Sequence, residues 1–239
     1  MTAQELWKAG KLDEAIQALN GELRSNPTDA KRRTFLFELL CFAGQYDRAE
    51  KQLEILAQGG QQAEMGTLLY RAALHAERLR HGMFEKNSYP LSSASSAVSG
   101  TLNGKAFSSL SDADSRIGAN LEVFAAGAYV WLPFTVIATV EIRPPKRLRD
   151  LLWAPALIRC SENYQGQELG EVLVPVLTPF AWKHANPEVR LGRATVLEKV
   201  EKDGPFPMGQ KFLLADDDEV TILDLRNLVL TPAATPGGA

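Results

Sequence analysis

Ala9–Leu19 reads AGKLDEAIQAL, and thirty-four residues later Ala43–Leu53 reads AGQYDRAEKQL. The pairs Ala9/Ala43, Gly10/Gly44, Asp13/Asp47, Ala15/Ala49 and Leu19/Leu53 are identical, and Leu6/Leu40 extends the match upstream. That interval is the period of tetratricopeptide repeats, helix–turn–helix units in which small residues let two helices approach closely. Gly10 and Gly44 are expected to end one helix and turn into the next, because a residue without Cβ takes a left-handed backbone at little cost. Pro27 would stop the first unit, and a third would open near Glu64 as one long helix with no second helix of the repeat type.

The helix between the two turns is apolar almost all the way round. At 100° per residue Phe35, Leu39 and Phe42 share a stripe, Leu36 and Leu40 flank it, and Phe37 and Cys41 lie further round. Such a helix must be covered on more than one side. Two and a half repeats rarely stand alone, so the rest of the chain is the candidate cover.

That remainder has a different pattern. Residues 88–104, including LSSASSAVSGTLNG, read as a Ser-, Ala- and Gly-rich linker. From residue 105 to 232 short β-rich runs follow (LEVFA, AYVWLPF, VIATVEI, ALIRCS, GEVLVPVL, RATVLEKV, QKFLLA, VTILDL), separated by turn signals such as KDGPFP and ADDDE. KRLRDLLWAP reads as a helical interruption stopped by Pro155. The expected architecture is α+β in two domains: tetratricopeptide-like helical hairpins over 1–87, then a mostly β domain with short helices over 105–232 and a flexible tail over 233–239. The uncharged stretch Val123–Val140 is long enough for a membrane span, but Gly127 and Pro133 interrupt it among β-branched and aromatic residues. Two strands joined at Ala126-Gly127 fit better, and no membrane association is expected.

Composition narrows function. With 239 residues, 45% apolar and 23% charged, the chain is an ordinary folding sequence with enough length for two cores. A net charge of -3, spread along the chain, lacks the basic surface that grips phosphates, which argues against nucleic acid. Two cysteines far apart, Cys41 and Cys160, read as thiols in a reducing compartment. The opening MTAQELWKAGKLDEAI has no basic-then-apolar signal pattern, so a cytoplasmic protein is expected. His75, His81 and His184 do not form a metal spacing, GTLNGK departs from a phosphate loop, and no nucleophile elbow occurs. Asp112, Asp114, Glu122 and Glu141 have no sequence reason to meet, and most such carboxylates face water. No enzyme, cofactor or metal is expected.

Several segments together resemble one family. GKLDEAI, AGQYDRAEKQL, LLYRAALHAERLR, LSDADSRIGANLEVFAAGAYVWLPF, PPKRLRDLLWAPA, VRLGRAT and EVTILDLRNL, in that order over nearly the whole chain, resemble the ImpE/TagJ family of accessory proteins of bacterial type VI secretion systems. The resemblance implies a cytoplasmic, non-catalytic protein. It implies binding to the N-terminal helical segment of the small contractile-sheath subunit and a functional link to the AAA+ ATPase that disassembles the sheath. No family site residues carry over.

Repeat geometry supplies a site expectation. The first helices of stacked units line a concave face that accepts a partner's amphipathic helix, which would place Glu38, Cys41, Phe42, Met65, Leu68, Ala72 and His75 along one groove. If the β domain plugs that surface instead, Phe42 and Met65 become core. A different class of function, an enzyme or anion site, would centre on residues 180–193, where Trp182, His184, Arg190 and Arg193 cluster.

Overall fold

The computed structural model describes residues 1–90, 98–162, 164, 166, 169–200 and 204–231. Five helices open the chain: α1 (Ala3–Lys8), α2 (Leu12–Ser25), α3 (Ala30–Phe42), α4 (Tyr46–Ala57) and α5 (Gln61–Glu85). The two copies of the motif fold alike. Gly10 (φ 79°) and Gly44 (φ 66°) occupy the left-handed region. The next N–H reaches back across each turn, Lys11 to the Leu6 carbonyl and Gln45 to the Leu40 carbonyl, both at 2.9 Å. This closes the preceding helix and reverses the chain in one step. Ala15, Leu19, Ala49 and Leu53 are buried between the helices.

Every residue of α3 from Leu36 to Phe42 is buried. The all-round apolar pattern therefore has its two covers: α2 and α4 on one side, and the later part of the chain on the other.

That later part begins earlier than the composition suggests. β1 (Ser99–Leu102) and β2 (Lys105–Phe107) form a hairpin across Asn103-Gly104, both at positive φ, and β1 pairs with the last strand of the chain. Ser99–Leu102 and the turn at Asn103-Gly104 thus belong to the sheet rather than to a linker. An Asn-Gly pair between short runs is a strong hairpin signal because both residues tolerate φ > 0. Residues 91–97 and the expected tail lie outside the described residues.

The remaining strands are β3 (Leu110–Asp112), β4 (Asn120–Ala125), β5 (Ala128–Pro133), β6 (Ile137–Ile142), β7 (Trp153–Cys160) and β8 (Gly170–Pro175). After the one-turn helix α6 (Pro187–Arg190) come β9 (Thr195–Val200), β10 (Gly204–Gly209), β11 (Phe212–Ala215), β12 (Asp218–Thr221) and β13 (Asn227–Thr231). The main sheet has eight antiparallel strands in the order β2-β1-β13-β6-β7-β8-β4-β5; β12-β11-β3 and β10-β9 form smaller sheets.

The expected hairpin at Ala126-Gly127 joins β4 to β5, and among the described residues no helix is long and apolar enough to cross a membrane. KRLRDLLWAP departs from expectation: only Leu148–Leu151 form a 3-10 turn, and Trp153 already starts β7. Pro155 fits inside that strand because β6 pairs only from Ala156 onward, leaving the proline a partner on one side alone. Gly204–Pro207 of KDGPFP likewise belong to β10, whereas VTILDL gives only Val220 and Thr221 to β12 before a turn at residues 222–224.

Strand alternation separates two cores. Phe124, Tyr129, Trp131 and Trp153 face the helices and share one continuous cluster with α1–α5. Leu121, Val123, Leu132, Ala154 and Ala156 face the other way, into a cluster with Leu110, Leu213, Ala215, Ile222 and Leu228. The helical array is thus the outer layer on a sheet whose far side has its own core.

Candidate functional site

The seven residues expected to line one groove divide into two groups. Glu38, Cys41 and Phe42 are inside the molecule, at 7%, 3% and 1% exposure. Cys41 and Phe42 face Leu152, Trp153, Leu177, Thr178, Ala181 and Trp182 around a cavity of about 20 Å3, room for little more than a water. This corrects the expectation of an open groove along α3: a helix apolar on all sides is stable only if its outer face is covered, and the sheet region covers it. Burial pushes the Cys41 thiol well up, so it is an inert core residue.

Burial also pushes the Glu38 carboxyl up to about 7, against the pull of the Arg149 backbone N–H and charge. A carboxyl whose native value is raised favours folding at low pH, and that contribution is lost as pH rises from 4.5 through about 7. Glu38→Gln is therefore expected to gain on the order of 2 kcal/mol over the parent at pH 8 and little at pH 4.5, read from urea unfolding at both pH values.

The four remaining residues lie on α5. Met65, Leu68 and His75 are exposed and Ala72 is half-buried. Their spacing of three, four and three places them on one face, which Leu79 continues; Met65 is 66% and Leu68 57% exposed. The β4–β5 turn rests against this face, since a Cβ on Gly127 would lie 3.7 Å from Ala72. Beside it a cavity of about 330 Å3 is lined by Leu69, Phe124, Pro155, Leu173 and Arg149. The result is an apolar strip open to solvent on the longest helix.

Residues 180–193, the alternative site, clamp the repeat turns, and a cavity of about 270 Å3 lies between Pro187, Glu188 and Arg190 and the turn at Gly10. A Cβ on Gly44 would overlap the Trp182 indole, and one on Gly10 would meet the Glu188 carboxylate. The two repeat glycines are thus covered by one segment. Arg190 donates to both oxygens of Asp13, at 2.9 and 3.2 Å. Arg193 donates to the carbonyls of Trp7 (2.8 Å) and Lys8 (3.0 Å) at the end of α1, where cations satisfy orphan acceptors. His184 accepts the Asn186 N–H through Nδ1 at 3.0 Å. Both arginines are engaged in helix contacts, while Arg190 Nε and the Trp182 indole N–H are buried with no hydrogen-bond partner among the described residues.

A charge network that sequence reading missed joins helices to sheet. Glu122, on β4, accepts from Arg80 Nε at 2.7 Å and Nη2 at 2.9 Å, from Lys211 Nζ at 2.6 Å and from the Tyr129 hydroxyl at 2.5 Å. Lys211 also donates to Asp112 at 2.6 Å, and Arg80 donates to Glu77 at 3.1 Å and the Leu177 carbonyl at 3.0 Å. Glu77 further accepts the Trp153 indole N–H at 2.9 Å.

All of these charged side chains are buried. Burial alone would raise Glu122, but Arg80 and Lys211 outweigh it and hold its carboxyl well below the usual range. Burial pushes Asp112 up to about 6 despite Lys211, and brings His81 down to about 4, leaving a neutral imidazole against Glu77. The expectation that Asp112, Asp114 and Glu122 face water is corrected: a lone charge inside the two-sided apolar strand NLEVFA was the available signal. The network ties α5 to β4 and to Lys211, across the boundary between the helices and the sheet.

Comparison with known proteins agrees with this architecture. Residues 6–72 match the tetratricopeptide repeat family and residues 104–229 match the family described as ImpE protein. The type VI secretion system accessory component TagJ of Pseudomonas aeruginosa is 31% identical over 97% of this chain and 92% of its own length. The crystal structure of protein VPA1032 from Vibrio parahaemolyticus superposes with a TM-score of 0.84 over 97% of this chain and 98% of that one, at 22% identity, a likeness of fold. With the sheet region matched from the β1–β2 turn to the last strand, and a relative this similar from end to end, the chain belongs to the ImpE family.

Proposed function

We propose that the protein is a non-catalytic accessory component of a type VI secretion system, an adaptor that holds the N-terminal helical segment of the small contractile-sheath subunit. Through that contact it is linked to the AAA+ ATPase that disassembles the sheath. The observation that carries the reading is end-to-end kinship with TagJ. The strip of α5 that includes Met65, Leu68, Ala72 and His75 supports it, because an apolar face on a rigid helix suits an amphipathic partner helix. Packing against β4 and β5 holds α5 in place, so little ordering is required on binding. The contacts of Arg190 and Arg193 with α2 and α1 weigh against the competing enzyme reading.

Titration calorimetry of the full chain with a peptide copying the sheath subunit's N-terminal helix tests the proposal. Saturable binding is expected, weakened about tenfold or more by Leu68→Glu, which places a charge in the apolar contact. Absence of heat at high micromolar peptide would overturn the adaptor reading.

A further inference from the structure

Residues 181–191 run between two left-handed joints. Phe180, at φ 62°, is an aromatic residue in a region that an L side chain enters only at a cost, and Gly192 follows at φ 66°. Outside the joints the chain is fastened. The Thr178 N–H donates to the Gly209 carbonyl at 2.8 Å, the Gly209 N–H donates to the Thr178 hydroxyl at 2.9 Å, and Arg193 holds the end of α1. Between the joints the segment crosses both repeat turns, with the Trp182 ring against Gly44 and the Glu188 carboxylate against Gly10.

That crossing is imperfectly matched to what lies beneath it. The Trp182 indole N–H and Arg190 Nε are shut off from solvent with no hydrogen-bond partner among the described residues. The closed position bears this cost, since water would satisfy both groups once the segment lifts. A cavity of about 20 Å3 is left over Cys41 and Phe42, and one of about 270 Å3 over the Gly10 turn, so packing is forfeited at both places. Against these stand Ala181, Val189 and Leu191, its buried apolar anchors. Its ion pairs run to Asp13 and Glu198, which are 61% and 46% exposed, so water and salt screen them.

We infer that residues 181–191 are a strap that swings off α3 about Phe180 and Gly192 while both cores stay folded, and that its closed position shuts the outer face of α3 at Cys41 and Phe42. The first helices of stacked hairpins take up partner helices on such a face, so the strap is an autoinhibitory contact within the chain. This concerns α3 and is independent of the sheath reading, which places the partner on α5.

Thiol labelling tests it on the unaltered chain. N-ethylmaleimide reaches Cys41 only when its cover lifts, and peptide mass spectrometry separates Cys41 from Cys160. Labelling of Cys41 is expected at low urea with a rate that barely changes up to about 1 M, because so short a segment exposes little surface. Two variants separate the strap from unfolding of the whole chain. Arg190→Ala removes the tie to Asp13 and should raise the rate about two- to fivefold. Leu228→Ala, in the core on the far side of the sheet, weakens the whole chain but should leave the rate unchanged; if Cys41 were reached only by global unfolding, it would raise the rate more than about tenfold. Hydrogen exchange read by mass spectrometry places the opening: amides of residues 183–192 should exchange with it, and those of α3 only on global unfolding. Labelling that follows urea with the global slope, a rate raised by Leu228→Ala, or exchange of α3 together with the strap would each overturn the inference, and leave the α5 proposal standing.

Discussion

Arg80→Leu is expected to lower the free energy of unfolding by about 3–5 kcal/mol, because it takes from buried Glu77 and Glu122 the guanidinium they share and leaves Glu122 with Lys211 as its cation. Arg80 is 1% exposed and its fork spans three elements: α5, β4 and the Leu177 carbonyl ahead of the clamp. Arg80→Lys should lose less, since it keeps the charge while giving up the two-pronged contact with Glu122.

The pH profile separates this effect from simple packing loss. Glu122 has a native value depressed below the ordinary 4.5, so its contribution is complete above about pH 4.5 and is lost as pH falls toward the native value. The parent should therefore lose stability on acidification below pH 4.5. Arg80→Leu, with Lys211 as the remaining cation on Glu122, should lose less over the same range. Chemical unfolding between pH 3 and 7 reads both; equal acid slopes in the two proteins would remove Arg80 as the source of the depression.

Gly44→Ala should cost about 2–4 kcal/mol, well beyond an ordinary glycine replacement in a turn. Two effects combine. The backbone sits at φ 66°, where an L side chain costs about 1–2 kcal/mol, and the new methyl would occupy space held by the Trp182 ring. Because the second effect acts through a contact, the double variant Gly44→Ala/Trp182→Ala should be less destabilised than the sum of the single changes. Strict additivity in thermal unfolding would mean that the clamp does not press on the repeat turn.

Much of the fold was legible because its signals are local. The Gly10 and Gly44 turns, the all-round burial of α3, the long α5 and the Ala126-Gly127 hairpin each follow from residues within one element or its turn. The Asn103-Gly104 hairpin was equally local but lay within a Ser- and Ala-rich stretch whose composition suggested a linker. At the candidate site the strip Met65, Leu68, Ala72 and His75 was readable as helical spacing. Its separation from Glu38, Cys41 and Phe42 was not, because that depends on which surface the sheet covers.

By itself the sequence determined a repeat of two helical hairpins, a strand-rich remainder and the family resemblance, since periodicity, turn chemistry and motif order are properties of short stretches of chain. Only the tertiary structure decided which charges are buried and which faces remain open. Arg80, Glu122 and Lys211 are ordinary surface residue types until three distant elements bring them together, and Arg190 and Arg193 read equally well as anion binders until Asp13 and the carbonyls of α1 take their N–H groups. The physical reason is that pairing and desolvation belong to the contact between elements, and no element's own pattern records them.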